Sequence, residues 1–257
     1  LARALRDRGF AVYLWEHRGD ASAVPPVGAG SFCVDDIDTR DLPAAIDAVV
    51  AHSGYDRVLA VNQGLAAQSL LVGLALGGED RVAAAVLVAP AVRFAAPRSA
   101  TRLAQLVALT LPASWTLPTR RVQQLLTPWV AEGADVASPG TPGDLARGRL
   151  RHGGADLSGG VAKQVARWIA EGSLTDRTGR VDIVAALPSL PAMVVTGDDD
   201  PACPPGAADP LVRRLGAQHL DLGPGWGHLD PLLASNADSA VFEPLGRFLD
   251  AHRSRCL

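Results

Sequence analysis

Val58-Leu59-Ala60-Val61-Asn62-Gln63-Gly64-Leu65-Ala66-Ala67 joins a valine-rich apolar run, a short polar break and the start of a second apolar run. The first run suits a buried strand, from Arg57 to Val61. The second continues through small and aliphatic residues to Leu76 and suits a helix. A strand that passes into a helix through a few residues is the repeating unit of a parallel sheet covered on both faces.

The same alternation extends outward from this stretch. Upstream, Phe10-Ala11-Val12-Tyr13-Leu14-Trp15 follows Arg8-Gly9 and predicts a helix stop and then a buried strand. Asp41-Leu42-Pro43 predicts a helix start with Asp41 as cap and proline in the first turn, after which Leu42, Ala45, Ile46, Val49 and Val50 share one face. Downstream, Val82 to Ala89 predicts another buried strand, ended by Pro90. Between about Phe94 and Gly172 the pattern breaks: Pro112, Pro118, Pro128, Pro139 and Pro142 interrupt helical pieces, with one amphipathic face at Leu103, Leu106, Val107 and Leu111. A long irregular insert between two strands of a parallel sheet is expected to cap the ligand site. Regular structure resumes with strands at Ala192 to Gly197 and Gln218 to Gly223 and a helix from Val241 to Ala251. The chain therefore divides into a first core part (1–93), a helical cap insert (94–172) and a second core part (173–257).

Composition narrows the function classes. With 257 residues, 48% of them hydrophobic and 20% charged, the chain predicts one globular domain and excludes disorder or a fibre. A net charge of −3 points to no nucleic acid or other polyanion. Of 24 basic residues, all but Lys163 are arginine. The longest apolar stretch, Val82 to Val92, is too short to span a bilayer. Cys33, Cys203 and Cys256 are far apart and lack metal-ligand spacing, which fits a reducing, cytoplasmic location, with Cys33 as a small buried filler. No metal or other cofactor is expected.

Three polar sites fall at the C-terminal ends of predicted strands, where open parallel sheets place their ligand crevice. They are Asn62, the Asp198-Asp199-Asp200 run, and His228 in Gly225-Trp226-Gly227-His228. Their order is turn, acid, histidine.

These residues resemble the α/β-hydrolases of the lipase and esterase type, including bacterial relatives of acid and acylglycerol lipases. Ala60-Val61-Asn62-Gln63-Gly64 is similar to the family's G-x-S-x-G elbow, with alanine for the first glycine and asparagine for the serine. Glu16-His17-Arg18-Gly19 resembles the family's acidic residue and Arg-Gly after a strand. Pro191 to Pro205 resembles its acid segment, and Gly227-His228-Leu229-Asp230 its histidine segment. The resemblance implies an α/β-hydrolase fold and assigns a catalytic site to Asn62, Asp200 as acid and His228 as base, with the backbone N–H of Gln63 as an oxyanion donor. It also implies a second oxyanion donor in a His-Gly loop after an upstream strand. No such loop occurs in this sequence, so the natural start is expected upstream of Leu1.

An asparagine carboxamide cannot replace the serine alkoxide, because its nitrogen is conjugated and its oxygen weakly basic. The leading expectation is a capped pocket for a small acyl or ester-like ligand in which ordinary serine hydrolysis is lost or impaired. The alternative is an enzyme in which His228 acts directly on substrate or water, as in a lyase or cyclase. Ester hydrolysis through another hydroxyl, such as Ser69, is disfavoured because that residue lies about two turns down the predicted helix.

Overall fold

The computed structural model describes residues 1–19, 31–94, 110, 112–117, 140–141 and 156–256. In chain order its elements are helix α1 (Ala2–Asp7), α2 (Val34–Asp36), α3 (Leu42–Ser53), strand β1 (Val58–Gln63), α4 (Leu65–Leu76), β2 (Val82–Val88), β3 (Thr116–Leu117), β4 (Leu157–Ser158), α5 (Gly159–Glu171), α6 (Ile183–Ala186), β5 (Ala192–Thr196), α7 (Asp209–Leu215), β6 (Gln218–Asp221), α8 (Asp230–Leu233) and α9 (Glu243–His252). Strands β1, β2, β5 and β6 form one sheet in that order, every pair parallel. β3 and β4 pair antiparallel in a separate two-stranded piece.

The sheet divides the core. β2 is buried along its whole length, and its side chains alternate: Ala85 and Leu87 join one apolar layer, Ala84, Val86 and Val88 the other. The first layer is closed by α4, α5 and α6 through Leu71, Trp168 and Ile183. The second is closed by α1 and α9 through Leu5, Leu245 and Leu249. A parallel sheet covered on both faces is the architecture that the strand–helix alternation predicts.

Two sequence expectations are corrected. Phe10 to Trp15 forms no strand. Phe10 and Val12 pack inward against the second layer, while Leu14 is 83% exposed and Tyr13 and Trp15 also lie open. The alternation stops after Val12 and no ladder forms, because the sheet of the described residues ends at β1, which is only partly buried along its length. Asp41 does not cap a helix either: the helical backbone starts at Val34, where Cys33 N–H donates to the Asp36 carboxylate at 3.1 Å. Asp41 instead takes Arg18, at 2.6 Å from Nε.

The helix passes through Pro43 by way of a π-turn over Ile37–Asp41. Proline has no N–H and crowds the carbonyl four residues back, so widening the turn ahead of it removes the conflict. The same device recurs at Asp238–Phe242, just before Pro244 in α9. The amphipathic face predicted at Leu103 to Leu111, and most of the insert, lie outside the described residues.

Candidate active site

Gly64 is the residue at the sharp turn between β1 and α4, with φ 55° and ψ −125°. That backbone region is open to glycine and strained for any other residue. Its N–H donates to Val88 O at 2.8 Å, so β1 remains tied to β2 up to the turn. Asn62 lies two residues earlier, inside β1 opposite Leu87. This corrects the placing of the turn tip at Asn62: the strand runs two residues further than Val61, to Gln63.

The same shift affects Gln63. Because Gly64 N–H faces β2, the adjacent Gln63 N–H faces the opposite edge of the strand and is not part of the turn. The Gln63 side chain instead donates from Nε2 to the carbonyl O of His228 at 2.6 Å. The backbone N–H that follows the turn residue is that of Leu65, the first residue of α4, whose early N–H groups have no partner within the helix.

Asp200 and His228 meet as the sequence order suggested. His228 Nδ1 is 2.8 Å from Asp200 Oδ2, and Asp200 is 2% exposed. The other carboxylate oxygen accepts the N–H groups of Ala202 at 2.7 Å and Cys203 at 3.1 Å. With Nδ1 donating to the carboxylate, the lone pair of a neutral imidazole lies on Nε2. That atom points at the turn: a Cβ built on Gly64 would stand 3.0 Å from His228 Nε2 and 3.1 Å from Cε1. Nε2 has no hydrogen-bond partner among the described residues.

The acid and histidine loops are fastened to each other. Asp198 N–H donates to Gly223 O at 3.0 Å and Asp199 N–H to Trp226 O at 3.1 Å. Asp199 Oδ2 accepts Gly225 N–H at 2.7 Å. At Gly197 a Cβ would come within 2.3 Å of Trp226 O, so only glycine permits this approach. The sequence pointed to Asp200 in this run, and the Asp199 carboxylate adds a second side-chain tie between the two loops.

Asp230 was visible in the sequence only as part of Gly-His-Leu-Asp. It is completely buried, and it accepts Gly227 N–H at 2.8 Å and the Thr141 hydroxyl at 2.6 Å. Thr141 thus supplies a donor to the carboxylate that holds the histidine loop. Thr141→Val should leave Asp230 Oδ1 buried without that donor and cost about 1–3 kcal/mol, while Thr141→Ser keeps the bond. Denaturant unfolding of the two variants checks this.

Ser69, in α4, is buried and donates to Asp38 Oδ1. It takes no part in the turn, and Cys33, Cys203 and Cys256 are all buried and unpaired. Burial pushes the Cys33 thiol up to about 11 and Cys203 to about 12.

Residues 1–229 match the sequence profile described as serine aminopeptidase, S33. The chain belongs to this family of α/β-hydrolases. No curated protein sequence matches it. Among solved structures, this S33-family chain is similar to a monoacylglycerol lipase from Paleococcus ferrophilus, with 14% identity, TM-score 0.65, and 97% of this chain and 87% of that one covered. A thermophilic esterase from Thermogutta terrifontis gives 17% identity and TM-score 0.62, covering 100% and 85% of the two chains. A bromoperoxidase from Bacillus anthracis gives 16% identity and TM-score 0.64, covering 96% and 84%. At such identities the likeness establishes the α/β-hydrolase fold of this S33-family chain. No helix among the described residues is long and apolar enough to cross a membrane.

Proposed function

We propose that this chain keeps the acid–base half of a hydrolase site, Asp200 and His228, around a nucleophile position occupied by Gly64, and that it binds a small acyl or ester-like ligand without covalent serine catalysis. The observation that carries this reading is the His228 imidazole, oriented by Asp200, lying against the Cα of a residue at φ 55° and ψ −125°. A hydroxyl carried on a Cβ at that point would be within reach of Nε2, and glycine has none. The backbone N–H of Leu65 takes the oxyanion role that the sequence had assigned to Gln63. Residues 94–172 serve as the cap over the ligand, a role supported by the Thr141 contact to Asp230. Three buried, unpaired cysteines support a reducing, cytoplasmic setting.

Preservation of the Asp200–His228 bond favours one second reading. Here His228 Nε2 takes a proton directly from water or from a substrate C–H or O–H, with Asp200 stabilising the imidazolium.

A phosphonate ester probe distinguishes these readings from ordinary serine hydrolysis. The expected result is no covalent adduct by intact mass and no burst of alcohol release with activated short-chain acyl esters. An adduct that disappears in His228→Ala would overturn both readings. Slow turnover without adduct, lost in His228→Ala, would select the second.

A further inference from the structure

A cavity of about 320 Å³ lies between the start of α2 and one face of α5, and neither Gly64, Asp200 nor His228 lines it. Its walls carry Phe32, Ala113, Asp36 and three cations, Lys163, Arg167 and Arg177. The seating of α5 explains why the cations converge. Gln164 is buried, accepts Val34 N–H at 3.0 Å and donates to the Asp35 carboxylate. That anchor fixes α5 against α2, and Lys163 and Arg167, four residues apart, share the neighbouring face.

The charges of this wall are unequally satisfied. Arg177 is drawn to Asp36 at 3.3 Å and to Asp35 at 3.9 Å. Arg167 has Glu171 at 4.0 Å. Lys163 has no ion-pair or hydrogen-bond partner among the described residues. The Cys33 thiol, also at the wall, stays neutral because burial pushes it up to about 11, so it supplies no balancing charge. Lys163 is moreover the single lysine among 24 basic residues. A compact ammonium therefore stands unpaired in a cavity of a chain that otherwise uses only guanidinium groups.

We propose that this cavity binds a small organic monocarboxylate, its carboxylate between Lys163 and Arg167 and its hydrocarbon part against Phe32 and Ala113. A single carboxylate gives Lys163 the partner it lacks. The Asp36 carboxylate beside it opposes a dianion such as phosphate. The proposal is independent of the reading given to Gly64 and His228, because its readout is binding and not turnover.

Calorimetric titration of the full chain with butanoate tests it, with acetate and inorganic phosphate as comparison probes. Saturable butanoate binding is expected, with acetate and phosphate weaker. Lys163→Gln and Arg167→Gln should each weaken butanoate by about tenfold or more, in line with a lost charge-assisted hydrogen bond. Arg213→Gln, at an exposed side chain of α7, should bind as the parent does, and thermal unfolding should show all three variants folded. Because the lysine is unique, its acetylation by an activated ester can be followed by mass on one peptide, and saturating butanoate should slow it. No saturation, undiminished affinity in Lys163→Gln, phosphate bound as tightly as butanoate, or an unprotected Lys163 would each overturn the proposal.

Discussion

Gly64→Ser is expected to raise hydrolysis of short-chain acyl esters by roughly 10³–10⁴-fold over the parent, with the gain lost again in Gly64→Ser/His228→Ala. The magnitude comes from two opposed effects. Removing the serine of an intact triad costs about 10⁶ in kcat, which is what restoring it could return. One missing oxyanion donor costs about 10²–10³, and Leu65 is the donor the described turn supplies. The backbone is already in place, since Gly64 holds φ 55° and ψ −125°. A serine there bears strain of about 1–3 kcal/mol, so the variant should also unfold at lower denaturant. This fold tolerates such strain elsewhere: Ala89, just past the end of β2, sits at φ 52°. The built Cβ lies 3.0 Å from Nε2, so the imidazole must retreat by a few tenths of an ångström to place a hydroxyl at hydrogen-bond distance. Asn62→Ser, by contrast, puts its hydroxyl inside β1 opposite Leu87 and should give no such gain. Activity in Asn62→Ser but not in Gly64→Ser would return the nucleophile position to residue 62.

The contrast between those two variants separates what the sequence pattern encodes from what only the strand register decides. The fold was legible because valine-rich strands and aliphatic helices alternate, and burial on both faces of a parallel sheet enforces that pattern. β2, fully buried, ends one residue before the predicted Ala89. The meeting of Asp200 with His228 was legible because Gly-Trp-Gly-His and the aspartate run follow strands and need no exact register. The turn did need it. Asn62 and Gln63 are polar, and a polar pair after an apolar run reads as the end of a strand. Yet as an edge strand of the described sheet β1 carries polar residues at its end without penalty, so hydrophobicity could not mark its last two positions. The available signal was Gly64 itself, the residue least restricted at positive φ and placed directly before an uninterrupted helical run. The Phe10 to Trp15 segment failed for the complementary reason: it has strand composition, but composition cannot supply the hydrogen-bonding neighbour that a strand requires. The clasp made by Asp199, Asp230 and Thr141 was illegible because its partners are 26 and 89 residues apart and no local pattern marks them.

Asp38→Asn is expected to flatten the pH dependence of stability by about 1.4 kcal/mol per pH unit between about pH 5 and pH 8. Asp38 is 1% exposed within the π-turn ahead of α3. Ser69 donates to its Oδ1, and its Oδ2 has no hydrogen-bond partner. Burial pushes its carboxyl up to about 8; the Ser69 hydrogen bond opposes this, and the charges of Asp35 and Asp41 add to it. An unfolded aspartate titrates near pH 3.9. Between the two values the folded chain holds a proton that the unfolded chain has released. The contribution of Asp38 is thus fully present below about pH 4 and is lost as pH rises through about 8, so folding weakens with increasing pH across that window. Asparagine keeps an acceptor for Ser69 but does not titrate. Its amide N–H groups, placed where Oδ2 finds no partner, add a roughly constant cost of about 1–3 kcal/mol, which cancels when slopes are compared. The variant should therefore be less stable than the parent near pH 5 and should overtake it toward pH 8. Denaturant unfolding of both proteins across this range measures the difference, and parallel slopes would show that Asp38 is ionised in the folded chain throughout.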